Sequence, residues 1–149
     1  YGDWEADLIQ GASGSGYLLS VYERKSRLGK LYKLPNKSSS ETSRGIVKLL
    51  LGLEVKTITY DNGLEFAQHE FVSDLLDCDS YFCKPYSSWE KGGVENYNGL
   101  VRQYFAKGSD FREISMVRLQ QVEDEINNRP RNVLGYKSPN DHLDQIEAA

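Results

Sequence analysis

Three carboxylates, Asp7, Asp61 and Glu95, occur in settings where divalent-metal chemistry could use them. Asp7 lies in WEADLI, which has the pattern of a strand. Asp61 ends the β-branched run VKTITYD and is followed by Asn62-Gly63, a turn signal. Glu95 lies in GGVENYNGLVRQYF, which has helical spacing, and 33 residues separate it from Asp61. Two strand-borne aspartates and a helix-borne glutamate can converge on divalent ions. Hard oxygen ligands with few other protein ligands suit Mg²⁺, which keeps positions for water and phosphate. Two such ions about 3.5–4 Å apart would serve in-line phosphoryl transfer. The set points to a nucleic-acid-processing catalytic core.

Each of these residues also has a plainer reading. Strand periodicity puts Asp7 on one face with Glu5 and Ile9, opposite Trp4, Ala6 and Leu8. A carboxylate there either faces solvent at the strand end or binds something positive, because burial without a partner is costly. Glu5 is an alternative ligand on the same face. Asp61 stands at a strand carboxyl end, where ligand sites gather, and Gly63 would let the backbone turn away. An ordinary Asp-Asn-Gly turn is the competing reading. In the helix, Val94, Tyr97, Val101 and Tyr104 form a core stripe, and Glu95, Asn98, Gly99 and Arg102 form the adjoining one. Glu95 and Arg102 share a face, so an acid could hold metal while an arginine holds phosphate; a solvated, loosely paired face would look the same. Lys91, Gly92 and Gly93 would present N–H groups and a positive helix end to phosphate, or simply form a flexible helix entry. Trp89 could stack on a base, meet a partner, or anchor its own loop. His69 and His142 have no partners at metal-ligand spacing and read as surface residues.

The elements that must position these groups follow from periodicity and turn residues. Trp4–Gly11, Tyr17–Glu23 and Leu28–Pro35 read as strands of an antiparallel meander, joined by Gly11–Gly16 and by the basic turn Arg24–Arg27. Ser39 or Ser40 would cap a helix running to about Leu53, with Ile46, Leu49, Leu50 and Leu53 inward. Val55–Asp61 is a strand. Gly63–Asp77 reads as a helix with Phe66, Phe71, Leu75 and Leu76 inward. Asp79–Cys83 is a short fifth strand, and KPYSSWEKGG is a loop. Helices follow at Val94–Phe105 and Ser115–Arg129, then a polar, frayed tail. This order predicts an α/β fold, a mixed sheet covered by helices, in one domain.

Composition sets the outer bounds. A chain of 149 residues can bury a real core, and 39% apolar with 27% charged residues suits a globular protein. Its longest apolar stretch, Ile46–Leu53, contains Lys48 and falls short of the roughly 20 residues needed to span a membrane. The opening YGDWEAD lacks the features of a signal peptide, and the missing initiating methionine suggests an excised fragment. Cys78 and Cys83 match no zinc or redox spacing and read as reduced, buried or half-buried thiols of an intracellular protein. The net charge of −4 argues mildly against a dedicated duplex-binding module, though metal would neutralise an acidic site. The charge is uneven: Lys84, Lys91, Arg102 and Lys107 outnumber Glu90 and Glu95 in one region. Glu65 to Asp79 carries only acids and reads as a solvated face.

Joined in order, WEADLI, KTITYDNGLEF, YFCKPYSSWEKGGVENYNGLVRQYF and NNRPRNVLGYKSP resemble the catalytic core of bacterial insertion-sequence transposases of the IS-thirty family. The resemblance spans nearly the whole chain and implies the DDE transposase and retroviral integrase core. The implied fold is ribonuclease H-like, with a five-stranded mixed sheet made of the meander plus two further strands and flanked by helices. Asp7, Asp61 and Glu95 match the catalytic, metal-binding carboxylates, with Mg²⁺ as cofactor and Mn²⁺ as a substitute. Asn98 and Arg102 match positions that support the glutamate near DNA. Gly93-Val94 departs from the more polar pattern of the family. Arg24, Lys25, Arg27, Lys91 and Arg102 are candidate phosphate contacts by charge and position. The implied partners are DNA (element ends and target) and further copies of the chain, as a homodimer or larger assembly, in the bacterial cytoplasm and without a membrane. A separate N-terminal DNA-binding region, absent here, is also implied. A ribonuclease H-like nuclease without strand transfer and a non-catalytic DNA-binding or self-association domain are the alternatives.

Overall fold

The computed structural model describes residues 1–84 and 87–148; Pro85 and Tyr86 of the expected KPYSSWEKGG loop, and Ala149, lie outside the described residues. The apolar, β-branched early segments pair as their alternation demands. β1 (Asp3–Gln10), β2 (Tyr17–Glu23) and β3 (Gly29–Leu34) form an antiparallel meander. β4 (Thr57–Tyr60) pairs parallel with β1, and β5 (Asp79–Phe82) pairs parallel with β4. The result is a mixed five-stranded sheet in the order β3-β2-β1-β4-β5. Parallel neighbours need crossovers, and helices α1 (Ser39–Leu50) and α2 (His69–Leu76) lie in them.

Both faces of the sheet are covered. Trp4, Ala6, Leu19, Val21, Ile58 and Tyr60 pack with Ile46 and Leu50 of α1 and Val72 of α2. Ile9, Leu18, Tyr22 and Leu31, on the other face, pack with Val94, Tyr97 and Val101 of α3 (Gly92–Arg102) and with Leu119, Val122 and Ile126 of α4 (Met116–Asn127). The split along β1 is the one its periodicity predicts. Asp7 therefore lies on the α3 side, on the face of Glu5 and Ile9.

β3 is an edge strand, and unpaired edge groups are a liability. Side chains of α4 cover them: Gly29 N donates to Asn127 Oδ1 at 3.0 Å, Asn127 Nδ2 donates to Gly29 O at 2.8 Å, and Leu31 N donates to Glu123 Oε1 at 2.7 Å. Burial raises the pKa of the Glu123 carboxyl above its usual value. Gly29 also lets Tyr97 approach, since a Cβ there would lie 2.0 Å from its ring.

Several local expectations need correction. The helix expected over Gly63–Asp77 is instead a 3₁₀ turn, Leu64–Phe66, followed by α2 from His69. That break resets the helical phase. Val72 is buried and Leu76 packs against the core, while Phe71 and Leu75 are 49% and 53% exposed rather than inward. The cap of α1 is Ser38, whose Oγ accepts from Glu41 N, not Ser39 or Ser40. Strand β4 is shorter than Val55–Asp61 at both ends, and α3 starts earlier, at Gly92, and stops at Arg102. The frayed tail is helix α5 (Pro139–Ala148). Its start is fixed by a reciprocal cap in which Asp141 N donates to Ser138 Oγ and Ser138 N donates to Asp141 Oδ2. Both cysteines are free thiols, Cys78 half-buried and Cys83 buried, as expected. No described helix is long and apolar enough to cross a membrane.

The closeness of Gly29 to Tyr97 gives a direct test of this packing. Gly29→Ala should lower unfolding free energy by about 1–3 kcal/mol through overpacking, measured by urea denaturation.

Candidate active site

The parallel register sets the site. Asp3 pairs with Thr57, Trp4 with Ile58 and Glu5 with Thr59. Continued by two residues, the same register brings Asp7 beside Asp61, one residue past the end of β4. The two aspartates share a single cation. Lys91 Nζ lies 3.4 Å from Asp7 Oδ1 and 3.5 Å from Asp61 Oδ2. The Lys91 side chain is only 7% exposed, against 22% for Asp7 and 42% for Asp61. A buried ammonium is stable only when paired, and these two carboxylates are its partners.

Asp61 has one oxygen anchored by a backbone amide and the other turned to the ammonium, whereas both oxygens of Asp7 accept hydrogen bonds from the protein. Asp7 Oδ2 accepts from Asn98 Nδ2 at 3.1 Å, and Asn98 Oδ1 accepts from Ser20 Oγ at 2.6 Å. Asp7 Oδ1, the oxygen facing Lys91, also accepts from Leu8 N at 2.9 Å. Asp61 Oδ1 accepts from Gly63 N at 2.8 Å, leaving Oδ2 for Lys91. The Asp-Asn-Gly turn is thus present through Oδ1, while Oδ2 faces the Lys91 ammonium. Gly63 is not needed for a left-handed backbone, since its φ is −69°.

Glu5 shares the face of Asp7 but is already engaged. Its carboxylate is buried, accepts from Arg24 Nε at 3.1 Å, and accepts from Val94 N at the start of α3 at 3.2 Å. It acts as a remote cap that pins α3 to β1. Gly93 allows this approach: a Cβ there would lie 2.3 Å from the Tyr22 ring and 2.8 Å from Glu5 Oε2. The Gly93-Val94 sequence thus has a packing reason, with Gly93 against β1 and β2 and Val94 fully buried.

Glu95 does not join the two aspartates. It is exposed on the first turn of α3, and the described residues contain no group of three acids, histidines or cysteines placed to hold a metal ion. The candidate phosphate contacts are also mostly engaged. Arg24 donates to Glu5, to Thr59 Oγ1 and to Glu90 O. Arg27 donates to the Tyr22 hydroxyl, Arg102 donates to Gln10 O, and Lys91 is buried between the aspartates. Burial lowers the pKa of Arg102 below the usual arginine value. Lys25 is exposed on the turn. Beside Glu5 and Arg24, a cleft of about 700 Å³ is lined by Thr57, Tyr81, Lys84 and Trp89 among others, and Trp89 is 75% exposed.

Of the expected constellation of Asp7, Asp61 and Glu95, the structure brings the two aspartates together, with Asn98, expected beside the glutamate, bonded to Asp7; three supporting roles were not foreseen. Ser20, the one small polar residue inside YLLSVYE, faces Asp7 in the β1–β2 register, and that register was the available signal. The capping role of Glu5 and the burial of Lys91 depend on how α3 docks, which no local pattern encodes.

A metal reading can be tested against this geometry. The donors are hard carboxylate oxygens, two of them already converge on one positive charge, and each carboxylate is oriented by a fixed hydrogen bond. These residues fit a hard divalent cation.

No family model matches the chain. It is 42% identical over 148 residues to the transposase for insertion sequence element IS4351 of Bacteroides fragilis, covering 98% of this chain and 45% of that protein. It is 39% identical to the transposase for IS1086 of Cupriavidus metallidurans, over 99% of this chain and 44% of the relative. Transposase InsI for IS30A of Escherichia coli is 34% identical over 97% of this chain and 38% of its own length. The chain thus spans less than half the length of these curated relatives. Among solved structures, the catalytic core domain of BIV integrase superposes with a TM-score of 0.73 at 18% identity, covering 98% of this chain and 95% of that one. That likeness shows the fold, which is ribonuclease H-like as expected. By sequence the chain is similar over nearly its whole length to part of insertion-sequence transposases, those of IS30 among them, and its fold is that of the retroviral integrase catalytic core.

Proposed function

We propose that the chain is the catalytic core of a DDE transposase that cuts DNA at element ends and joins the 3′-hydroxyl ends to target DNA. The observation that carries this reading is the pair Asp7 and Asp61. They stand side by side at neighbouring strands and share one cation, in a chain related over nearly its whole length to transposases. Asp7 and Asp61 would hold Mg²⁺, or Mn²⁺ in its place, with Glu95 as the third carboxylate. Bound metal supplies activation of water or a 3′-hydroxyl and stabilisation of the leaving oxygen.

The protein's own contribution is orientation. Asn98 and Ser20 hold Asp7, the Gly63 amide holds Asp61, and Glu5 fixes the helix start that carries both Lys91 and Glu95. Lys91 and Glu95 are one helical turn apart. No serine or tyrosine nucleophile is required. DNA is the proposed partner, and two element ends must be held together, which calls for a dimer or larger assembly on DNA. A non-catalytic DNA-binding or self-association role is favoured by one observation: Glu95 is exposed and does not form a metal-holding group of three with the aspartates among the described residues. Metal titration separates the two.

Asp61→Asn should abolish Mn²⁺ and Mg²⁺ binding measured by calorimetry, with the fold intact by circular dichroism. It should also abolish strand transfer of a free 3′-hydroxyl end. Retained binding or joining by this variant would sink the assignment. Lys91→Met should raise Mn²⁺ affinity roughly tenfold, about 1.4 kcal/mol, because the ammonium and the metal compete for the same oxygens. Unchanged or weaker binding would show that Lys91 does not stand in the metal's place.

A further inference from the structure

The motif NNRPRNVLGYKSP has no role in the site around Asp7. Its arginines nevertheless gather at one place. Asn127 clasps both backbone groups of Gly29, so the chain leaving α4 is fixed beside the β2–β3 turn. Arg129 and Arg131 follow two and four residues after Asn127, and Arg27 precedes Gly29 by two. All three side chains are half-buried. Among the described residues, none of them pairs with a carboxylate.

Their placement is rigid. The β2–β3 turn is organised by the buried Glu23 carboxylate, which accepts from Gly2, Lys25 and Ser26 amides, and Arg27 adopts a left-handed φ of 66° within it. Arg27 Nη1 donates to Tyr22 OH at 3.0 Å. Arg129 Nη2 donates to Tyr104 OH at 2.6 Å, and Arg131 Nη2 donates to Ile126 O at 2.9 Å. These bonds leave most guanidinium donors unused, and Arg131 Nε is buried without a partner. The neighbouring Tyr97 hydroxyl is fully buried and also unpartnered. Burial, reinforced by Arg129 and Arg27 nearby, lowers the pKa of Arg131. Arg129 also donates from Nη1 to Gln103 Oε1 at 3.3 Å and stacks over the Tyr104 ring, but three neighbouring, partly buried positive charges without a carboxylate still repel one another, and a bound anion would relieve that repulsion. Guanidinium forks suit phosphate oxygens. Tyr136 beside them is 72% exposed, and Lys137 pairs with Arg131 through the backbone.

We propose that Arg27, Arg129 and Arg131 form a phosphate-binding site for the backbone of duplex DNA, separate from the carboxylates. The proposal rests on the reading that this chain works on DNA. It assigns the NRPR segment the task of holding a duplex against the α4 end of the β3 edge.

The test is fluorescence anisotropy with a short mixed-sequence DNA duplex across a series of KCl concentrations, without divalent metal. Wild type is compared with Arg27→Gln/Arg129→Gln/Arg131→Gln and with Arg44→Gln, an exposed position on α1, as a charge control. The triple variant should lower the slope of log K against log salt by about 2–3, near 0.9 per phosphate contact. Its Mn²⁺ binding should match wild type, and Arg44→Gln should leave the slope near the wild-type value. If the triple variant does not fold, Arg27→Gln/Arg129→Gln should still lower the slope by about 1–2. An unchanged slope in the folded variant, or an equal loss in Arg44→Gln, would overturn the site while leaving the transposase reading intact. Absence of duplex binding by wild type at low salt would overturn it too, and the metal assignment would keep its own calorimetric test.

Discussion

Two ionised carboxylates stand side by side in a half-dry site only at a cost unless a positive charge lies between them, and this constraint organises the functional half of the molecule. The parallel register of β1 and β4 forces Asp7 and Asp61 together. The chain answers with Lys91, delivered by the turn that opens α3. At separations near 4 Å and an intermediate dielectric, such contacts are worth roughly 4 kcal/mol each before desolvation. Burying the ammonium costs several of those back. The balance is therefore modest, which is the condition under which a divalent ion with a higher charge could take over the same oxygens.

Lys91 is placed there by a close approach of α3 to the sheet at two glycines. Gly93 and Gly29 provide the space, against Tyr22 and Tyr97 respectively. Glu5 provides the attachment, because its buried carboxylate accepts the Val94 amide and ties Arg24 in the same grip. On the far side, α4 does for β3 what a further strand would do, satisfying Gly29 and Leu31 with side chains. The same clasp fixes the chain after α4, so the covering of a sheet edge and the gathering of arginines have one structural cause.

The succession of strands along the chain was legible because strand signals are local, whereas their order in the sheet, with β4 beside β1, was not. Alternation in WEADLI and VKTITYD, and the turn residues between the first three strands, are enough to predict a meander with two further strands. Asp7 and Asp61 could be chosen because a carboxylate between apolar strand residues demands a reason. The phase of α2 was not legible, because a 3₁₀ turn breaks the helix before His69 and moves Phe71 and Leu75 to the surface. The tail helix was missed although Ser138 and Asp141 carry a cap signal, since its polar composition resembles a loop. Glu5, read as a rival ligand to Asp7, turned out to cap a helix that begins 87 residues later in the chain. That role depends on a long-range docking that periodicity cannot express.

An acidic chain is a poor candidate for DNA binding only if charge acts as a total. At physiological salt the screening length is about 8 Å, so a phosphate responds to its own neighbourhood. The exposed acids Glu70, Asp74, Asp77 and Asp79 lie on α2 and at the start of β5, on the side of the sheet edge opposite β3. Arg27, Arg129 and Arg131 gather by the β3 edge. Asp7 and Asp61, between them in the sheet order, are compensated by Lys91. A net charge of −4 is thus compatible with a duplex laid along one edge, because the acids at the other edge lie several strand spacings away, beyond the screening length.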